Sequence, residues 1–297
     1  MYEFLQQLLN GLSLGAIYAL IAIGYTMVYG ILRFINFAHS DVFMAGAFIG
    51  LNVARYTHHG TFLGGFIVLG SAMLGCALLG MTIERLAYRP LRGAPTLNVL
   101  ITAIGVSLFL EYSGQKFFGA APRRFPAIFP VREFTFGGAI TISSNQLAVI
   151  GVTFLLMVAL QLVVFRTKIG TAMRAVSLNP RAAQLVGINN DVVISFTFGL
   201  GSALAAAGGI LYALNYPSID PLMGVMPGLK AFVAAVLGGI GSIPGAALGG
   251  LILGVVETFV AGSPWSTGKD AIAFGILIVI LLFRPAGLLG KSGVEKV

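Results

Sequence analysis

The architecture of this chain depends on residues 228–260, which read GLKAFVAAVLGGIGSIPGAALGGLILGVVETFV. A helix needs about 20 apolar residues to cross a bilayer, so this apolar stretch is too long for a single span. Pro244 and several glycines interrupt it near 238–246, and both residue types weaken a continuous helix. The sequence therefore predicts a break here, which produces either two short spans or a re-entrant pair of helices.

The composition of the whole chain is typical of an integral membrane protein. Hydrophobic residues make up 57% of the 297 residues, charged residues only 9%, and the mean hydropathy is +0.94. A soluble domain carries about 25% charged residues, so the composition excludes that class. The 40 glycines agree with this reading, because closely packed membrane helices favour small residues where their backbones approach.

The apolar segments predict an all-α membrane protein, a polytopic bundle of about 8–9 transmembrane segments in one domain, 1–297. The first charge is Glu3 and no basic region precedes the first segment, so we interpret that segment as a membrane helix rather than a signal peptide. The segments lie at about 5–31, 37–54, 61–83, 96–112, 145–165, 191–213, 228–260 and 270–284.

The distribution of basic residues predicts the orientation in the membrane. Positively charged loops belong on the cytoplasmic side, and both the loop at 166–190 and the tail from residue 284 are basic. If 228–260 crossed the membrane only once, the tail would face the opposite side from that loop. A break in this segment adds a second crossing or a re-entrant pair, which returns the tail to the same side as the loop. We therefore predict an outer N-terminus, a cytoplasmic C-terminus and an outer loop at about 113–143.

The net charge of +8 has the sign of a nucleic-acid-binding protein, but its distribution does not favour that class. The basic residues flank membrane helices rather than forming a patch interleaved with stacking aromatic residues. Anionic lipid headgroups are the expected counter-charge. We therefore predict that the chain lies in a lipid bilayer and binds no nucleic acid.

The motifs of enzymatic chemistry are missing from the sequence. His58 and His59 are adjacent, but no second pair of ligands is placed to complete a metal site. The stretch GSPWSTGKD at 262–270 resembles a phosphate-binding loop, yet Ser263 stands where the motif needs its first glycine and Asp270 follows the lysine. We expect a chain that is not an enzyme and that itself binds no metal, no ATP and no other cofactor.

Residues 166–190, RTKIGTAMRAVSLNPRAAQLVGINN, are the most polar part of the chain and carry four basic residues and no acid. Asn179 is a suitable helix N-cap, Pro180 suits the first helical position, and Gly187 can end the helix. The two turns between them have an apolar face and would be marginal alone in water. They either dock into a groove on a partner protein, as short amphipathic helices do, or form a solvated, positively charged cytoplasmic loop.

Several stretches of the chain resemble a known transporter family. RAAQLVG at 181–187 is similar to the EAA loop of bacterial ABC importer permeases, with Arg181 in place of the usual glutamate and without the following I-x-L-P. Together with this loop, four further stretches closely resemble the LivH-like permeases of branched-chain amino-acid ABC importers, and the likeness runs essentially end to end. They are ILRFINFAHSDVFMAGAF (31–48), ERLAYRPLRGAPTLNVLITAIGVSLFLE (84–111), GLKAFVAAVLGGIGSIPGAALGGLILGVVE (228–257) and LLFRPAGLLG (281–290).

This resemblance implies a permease subunit that works with several partners in a bacterial inner membrane. It implies a second, homologous permease in a hetero- or homodimer, two cytoplasmic ABC ATPases that hold ATP and magnesium, and a periplasmic or lipid-anchored substrate-binding protein. Each ATPase would hold a coupling helix, here 180–187, within the cytoplasmic coupling loop at about 166–190. The residues expected to take part in coupling are Gly170, Arg174, Asn179, Pro180, Arg181, Ala182, Ala183, Leu185 and Gly187.

Polar and helix-breaking residues within the apolar segments are candidates for the translocation path or for helix junctions. An ionisable residue at the centre of a span costs about 2.5–3.5 kcal/mol on insertion scales. Glu257 either serves transport or pairs with a neighbouring helix, and the cluster at 36–41 is either a hydrogen-bonded helix junction or a substrate contact. The broken region 238–246 is the favoured gate. The candidates are Asn36, His39, Asp41, Gly238, Gly239, Gly241, Pro244 and Glu257.

Two alternatives stay open at this point. An ion-coupled secondary transporter or channel would also be basic, glycine-rich and broken-helical, but it would not need a docking helix at 180–187. Within the importer reading, urea, short amides or other amino acids are possible cargoes, because the resemblance implies that the binding protein sets selectivity.

Overall fold

The computed structural model of the protein describes residues 2–58, 60–136, 140–284 and 286–290. Helices form most of these residues, as the apolar segments predict. The helices are α1 (Tyr2–Leu32), α2 (His39–Ala54), α3 (Phe62–Ile83), α4 (Thr96–Phe118), α5 (Ser144–Arg166), α6 (Lys168–Leu178), α7 (Pro180–Leu185), α8 (Asn190–Asn215), α9 (Val225–Gly238), α10 (Ile243–Ala261) and α11 (Lys269–Phe283).

Seven helical segments of the described chain are long and apolar enough to cross a membrane. Two shorter helices, α2 and α9, lie among them, so the predicted all-α bundle of about 8–9 segments is confirmed. The seven segments are Tyr2–Leu32, Phe62–Leu91, Thr96–Phe118, Ser144–Arg166, Asn190–Asn215, Ile243–Ala261 and Ser266–Phe283.

The predicted break in 228–260 is present between α9 and α10. Gly239 has φ +102° and Gly241 has φ +95°, values in the left-handed region that glycine adopts without steric cost. Ser242 then caps α10, because its hydroxyl oxygen accepts a hydrogen bond of 3.2 Å from the backbone N–H of Gly245. At 1.5 Å per residue, the 14 residues of α9 cover about 21 Å, less than the bilayer core.

Helices α1 and α8 form the centre of the bundle, and most of their residues are buried. Close approach of α1 to α10 depends on glycine, since a Cβ on Gly15 would lie 2.8 Å from the Cα of Leu251. The outer helices α4, α5 and α11 instead expose many large apolar side chains, such as Phe109 and Phe154. Such exposed apolar faces fit contact with lipid or with another membrane subunit.

The short helices α2 and α9 both begin inside the bundle. The ring of His39, the first residue of α2, packs against Gly24, about two turns before the end of α1. Gly224 and Gly228, at the start of α9, pack against Ser40. The hydroxyl of Ser40 donates to the carbonyl oxygen of Phe37 at 2.8 Å. Because Ser40 contacts both glycines, the two short helices begin at a similar depth in the bundle.

Two segments predicted as loops contain regular structure. In the segment 113–143, α4 continues through Phe118, and β1 (Arg123–Arg124), β2 (Glu133–Phe136) and β3 (Ile140–Ser143) follow. Strand β2 pairs with β3, and β1 pairs with β4 (Ser218–Ile219), both antiparallel. The segment 166–190 contains the predicted short helix as α7 and, before it, the unpredicted helix α6, which has an amphipathic pattern with Met173 and Val176 buried.

Candidate functional site

The predicted coupling helix exists as α7, Pro180–Leu185, with the expected ends. Asn179 caps it, since its side-chain oxygen accepts a hydrogen bond of 3.1 Å from the backbone N–H of Ala182. Pro180 occupies its first turn. Gly187 ends it with φ +86°, the left-handed conformation that glycine commonly provides after a helix.

One face of α7 is exposed and apolar. Leu185 is 89% exposed and Val186 is 76% exposed, and Ala182 beside them is exposed as well. Ala183 is different, because it is buried within the chain with only 3% of its surface exposed. In this structure the methyl group of Ala183 therefore faces the chain itself, and Ala183 is not accessible to a partner on this face.

The remaining residues of the predicted coupling set hold α6 and α7 in place or stay accessible. Gly170 lies at the tight turn between α5 and α6, where a Cβ would collide with the carbonyl oxygens of Val163 and Val164. The guanidinium of Arg174 lies 5.3 Å from the centre of the Phe165 ring and is partly exposed. Arg181 is exposed on α7 and is available for a polar contact.

An ion-pair network ties the start of α8, just after α7, to the end of α3. Asp191 contacts Arg89, and one of its oxygens lies 2.5 Å from an Nη atom of Arg92. Arg92 also contacts the fully buried Glu84, which accepts a hydrogen bond from the Ser195 hydroxyl on α8. Glu84 opens a π-helical turn, a feature that often occurs at functional sites.

Sequence reasoning did not find this network, although a signal was available. It interpreted the basic residues that flank the membrane helices only as charges that orient the chain and face lipid headgroups. An acid at the end of an apolar span, such as Glu84, is costly unless it is paired, and it stands beside several arginines in the sequence. The partner Asp191 lies about one hundred residues away along the chain, so its position depends on the tertiary structure.

A cavity of about 670 Å³ is lined by the end of α6, by α7, and by residues at the end of α1 and after α3. Asn179 and Gln184 line one side of it, and Leu32, Tyr88 and Arg92 line the other. Helix α6 packs against α1, α5 and α8, and α7 contacts α6 and α8. The ion-pair network adds a polar link between the start of α8 and the residues that follow α3.

Glu257, the candidate within α10, makes specific contacts with neighbouring helices. Its Oε1 accepts a hydrogen bond of 2.6 Å from the Lys230 ammonium, and its Oε2 accepts one of 2.8 Å from the Tyr18 hydroxyl. Lys230 also lies 2.6 Å from a carboxylate oxygen of Asp270. The sequence reasoning had not connected Lys230 or Asp270 with Glu257. The geometry favours a helix-joining role for Glu257, and one side of its carboxylate also faces a cavity.

Asn36, His39 and Asp41 do not form one cluster. The Asn36 side-chain oxygen accepts a hydrogen bond of 2.6 Å from the Tyr88 hydroxyl, and Asp41 accepts one from the hydroxyl of Ser107 on α4. The His39 ring lies 4.6 Å from that of Tyr25 on α1. Each of the three residues therefore joins the start of α2 to a different element, which favours a helix junction over a substrate contact.

The residues expected to form a gate lie in the α9–α10 turn. A Cβ on Gly238 would collide with the carbonyl of Gly245, so the two helices leave this turn in close contact. Pro244 lies in the first turn of α10. The tail fixes the turn from the other side, because the N–H of Leu288 donates to the carbonyl of Leu237 at 2.9 Å.

Comparison with known proteins gives a consistent result along the chain. Residues 7–282 match a family model described as branched-chain amino acid transport system, permease component. The permease protein BraD of the high-affinity branched-chain amino acid transport system of Pseudomonas aeruginosa is 45% identical, over 100% of this chain and 99% of its own. LivH, a permease protein of the corresponding Escherichia coli (strain K12) system, is 42% identical over 99% and 98%. A probable LivH of Methanocaldococcus jannaschii is 29% identical over 91% and 88%.

Proposed function

Because the chain belongs to the family of permease components of branched-chain amino acid transport systems, we propose that it is the membrane-embedded permease subunit of an ABC importer. Its cargo is the branched-chain, aliphatic amino acids, which it carries across a bacterial inner membrane. The chain itself binds no nucleotide, and separate subunits hydrolyse ATP. The N-terminus faces outside, and α7 and the C-terminus face the cytoplasm, in accordance with the basic residues of 166–190.

The observation that carries this proposal is the exposed apolar face of α7. Leu185 and Val186 are held on a capped helix that projects from the bundle. Burial of one such side chain against a partner contributes about 1.5–3 kcal/mol, so this face is suited to a groove on an ATPase subunit. Arg181 on the same short helix is available for a charge-assisted contact at the rim of that groove.

The assembly that follows from this proposal contains a second permease, two ATPases that hold ATP and magnesium, and a substrate-binding protein. The second permease is a copy or a homologue of this chain. The binding protein is periplasmic or lipid-anchored and delivers the amino acid to the outer face. The broad apolar surfaces of α4, α5 and α11 offer area for the second permease and for lipid.

The ion-pair network provides a route from α7 into the spans. Movement of α7 displaces the start of α8, because Asn190 donates to the carbonyl of Pro180 at 2.9 Å. Asp191 then pulls on Arg89 and Arg92, in the turns that follow α3. Since α8 packs at the centre of the bundle, this route can rock the central helices when the ATPases close.

The proposal is tested with Leu185→Asp, which places a charge on the exposed face without disturbing any buried contact. Loss of about 1.5–3 kcal/mol of burial weakens docking by about 10- to 150-fold. We expect the ATPase subunits to be lost on purification and ATP-driven leucine uptake to fall, while the permease stays in the membrane.

The matched control is Tyr56→Asp, since Tyr56 is 91% exposed and follows α2, remote from α7. This variant should retain both ATPase co-purification and uptake. Normal uptake by Leu185→Asp would contradict the proposal.

A secondary transporter remains the rival, because the buried pair of Lys230 and Glu257 resembles the intramembrane charges of ion-coupled carriers. Vesicles that contain the chain but no ATP separate the two functions. Leucine uptake driven by an ion gradient alone would favour the rival. Uptake that requires ATP and competes with valine but not with urea supports the importer and its amino-acid cargo.

A further inference from the structure

A second cavity, of about 540 Å³, opens at the opposite end of the bundle from α7. It lies where α1, α5 and α11 begin and where α8 and α10 end. Polar side chains line most of it, among them Asn10, Asn145, Asn215, Glu257 and Lys269. Such a concentration of polar groups inside a membrane bundle is costly and usually marks a functional site.

We call this cavity the polar vestibule. The side-chain amides that line it form only some of the hydrogen bonds of which they are capable. Asn10 accepts a hydrogen bond of 2.8 Å from Gln146 through its side-chain oxygen, and within the described chain its amide nitrogen donates to no group. Asn145 donates to the carbonyl of Leu214 at 3.3 Å, while its own side-chain oxygen is buried and has no partner in the described part of the chain. One donor and one acceptor of the lining therefore lack a hydrogen-bond partner within the described part of the chain.

Charge in the polar vestibule is separated between its inner and outer parts. At the inner end, Glu257 lines the cavity and, behind the lining, shares the single ammonium of Lys230 with Asp270. The group carries two negative charges against one positive charge. Lys269 lines the outer part, where it is exposed and forms no ion pair with the described residues. The cavity therefore offers a negative inner end and a positive rim.

We propose that the polar vestibule binds the backbone groups of a zwitterionic amino acid. The α-ammonium group binds Glu257 and the free side-chain oxygen of Asn145. The α-carboxylate binds Lys269 and the amide nitrogen of Asn10. This inference rests on the proposed function, because it takes the cavity to be the outer entrance through which the cargo passes.

The residues that line the polar vestibule also indicate that it does not distinguish one amino-acid side chain from another. Its apolar members are few, with Leu14, Leu214 and Ala261 among them, and no apolar slot matches a branched side chain. The polar vestibule therefore recognises the charged end that all such amino acids share. Leucine, valine and alanine bind there with similar strength, whereas compounds that lack either charged group bind weakly.

Cysteine protection in the assembled transporter tests this proposal, since the chain has a single cysteine, Cys76, which is fully buried. Thr258→Cys and Asn215→Cys place a thiol in the polar vestibule. Thr267→Cys, exposed at the same end of the bundle but outside the cavity, is the matched control. The rate of reaction with N-ethylmaleimide is followed by the mass of the intact chain, with and without added amino acid.

We expect saturating leucine or alanine to slow the reaction of at least one vestibule thiol by about fivefold or more, with no effect on Thr267→Cys. Isoamylamine, which lacks the carboxylate, and 4-methylpentanoate, which lacks the ammonium, should give no protection. Adding Glu257→Gln should raise the leucine concentration needed for protection by about tenfold while the unprotected rate stays the same.

Absence of protection at both positions, in variants that still take up leucine with ATP, would overturn this inference and leave the proposed function intact. Equal protection by isoamylamine would also overturn it, since the site would then recognise only a cation. Protection in a chain that takes up leucine without ATPases would support the vestibule and refute the proposed function instead.

Discussion

Replacement of Lys230 by methionine tests whether the buried charges at the start of α9 stabilise the bundle. The Lys230 ammonium contacts carboxylate oxygens of Glu257 and Asp270, each at 2.6 Å. Methionine has a similar length and no charge, so the substitution removes the cation while it preserves most of the packing. Both carboxylates are then left without their shared partner.

The magnitude follows from the exposure of the two carboxylates. The Asp270 side chain is 40% exposed, so water can solvate it after the lysine is lost. The Glu257 side chain is only 6% exposed and keeps a single hydrogen bond, from Tyr18. Removing one partner of a buried ion pair costs about 3–5 kcal/mol, and Glu257 accounts for most of that loss in the free energy of unfolding.

A second substitution separates charge from packing. Lys230→Met/Glu257→Gln removes the buried charge, and glutamine can still accept a hydrogen bond from Tyr18. We expect the double variant to lose only about 1–2 kcal/mol relative to the wild type, and so to be more stable than the single variant.

The free energy of unfolding is measured for the purified chain by sodium dodecyl sulfate titration in mixed micelles, with circular dichroism as the readout. The control is Lys116→Met, an exposed lysine for which a change within about 0.5 kcal/mol is expected. The reasoning fails if Lys230→Met lies within about 1 kcal/mol of the wild type, or if the double variant is no more stable than the single one.

Three further predictions concern packing and coupling. Gly15→Leu should sharply lower the yield of monodisperse protein in fluorescence-detected gel filtration, because a Cβ there meets the backbone of Leu251. The control Gly105→Leu should behave as wild type, because nothing lies within 4 Å of the added Cβ. Asp191→Asn should lower ATP-driven leucine uptake by about 2- to 30-fold, the effect of 0.5–2 kcal/mol of altered coupling, with no change in the ATPase that co-purifies; unchanged uptake would count against the network as a coupling route. Gly170→Val should displace α6 and reduce ATPase co-purification, and full retention of the ATPase would show that the α5–α6 turn tolerates a side chain.

The local features of α7 could be predicted from the sequence because each depends on residues close together in the chain. Asn179, Pro180 and Gly187 start and end the helix as their side chains and backbone preferences dictate. The direction of Ala183 could not be predicted in the same way. Two turns of helix have no long periodic pattern, so the side that faces the bundle is set by how α7 meets α8.

The membrane spans and the break between α9 and α10 follow from the sequence by itself. Hydropathy over about 20 residues reports directly on bilayer insertion, and the glycines at 239 and 241 with Pro244 cannot continue a helix. The contacts of Glu257 with Lys230 and Tyr18, the link of Asp191 to Arg92, and the polar vestibule are different. They join side chains from helices distant in the chain, and only the packing of those helices through small residues such as Gly15 brings the groups within hydrogen-bonding distance.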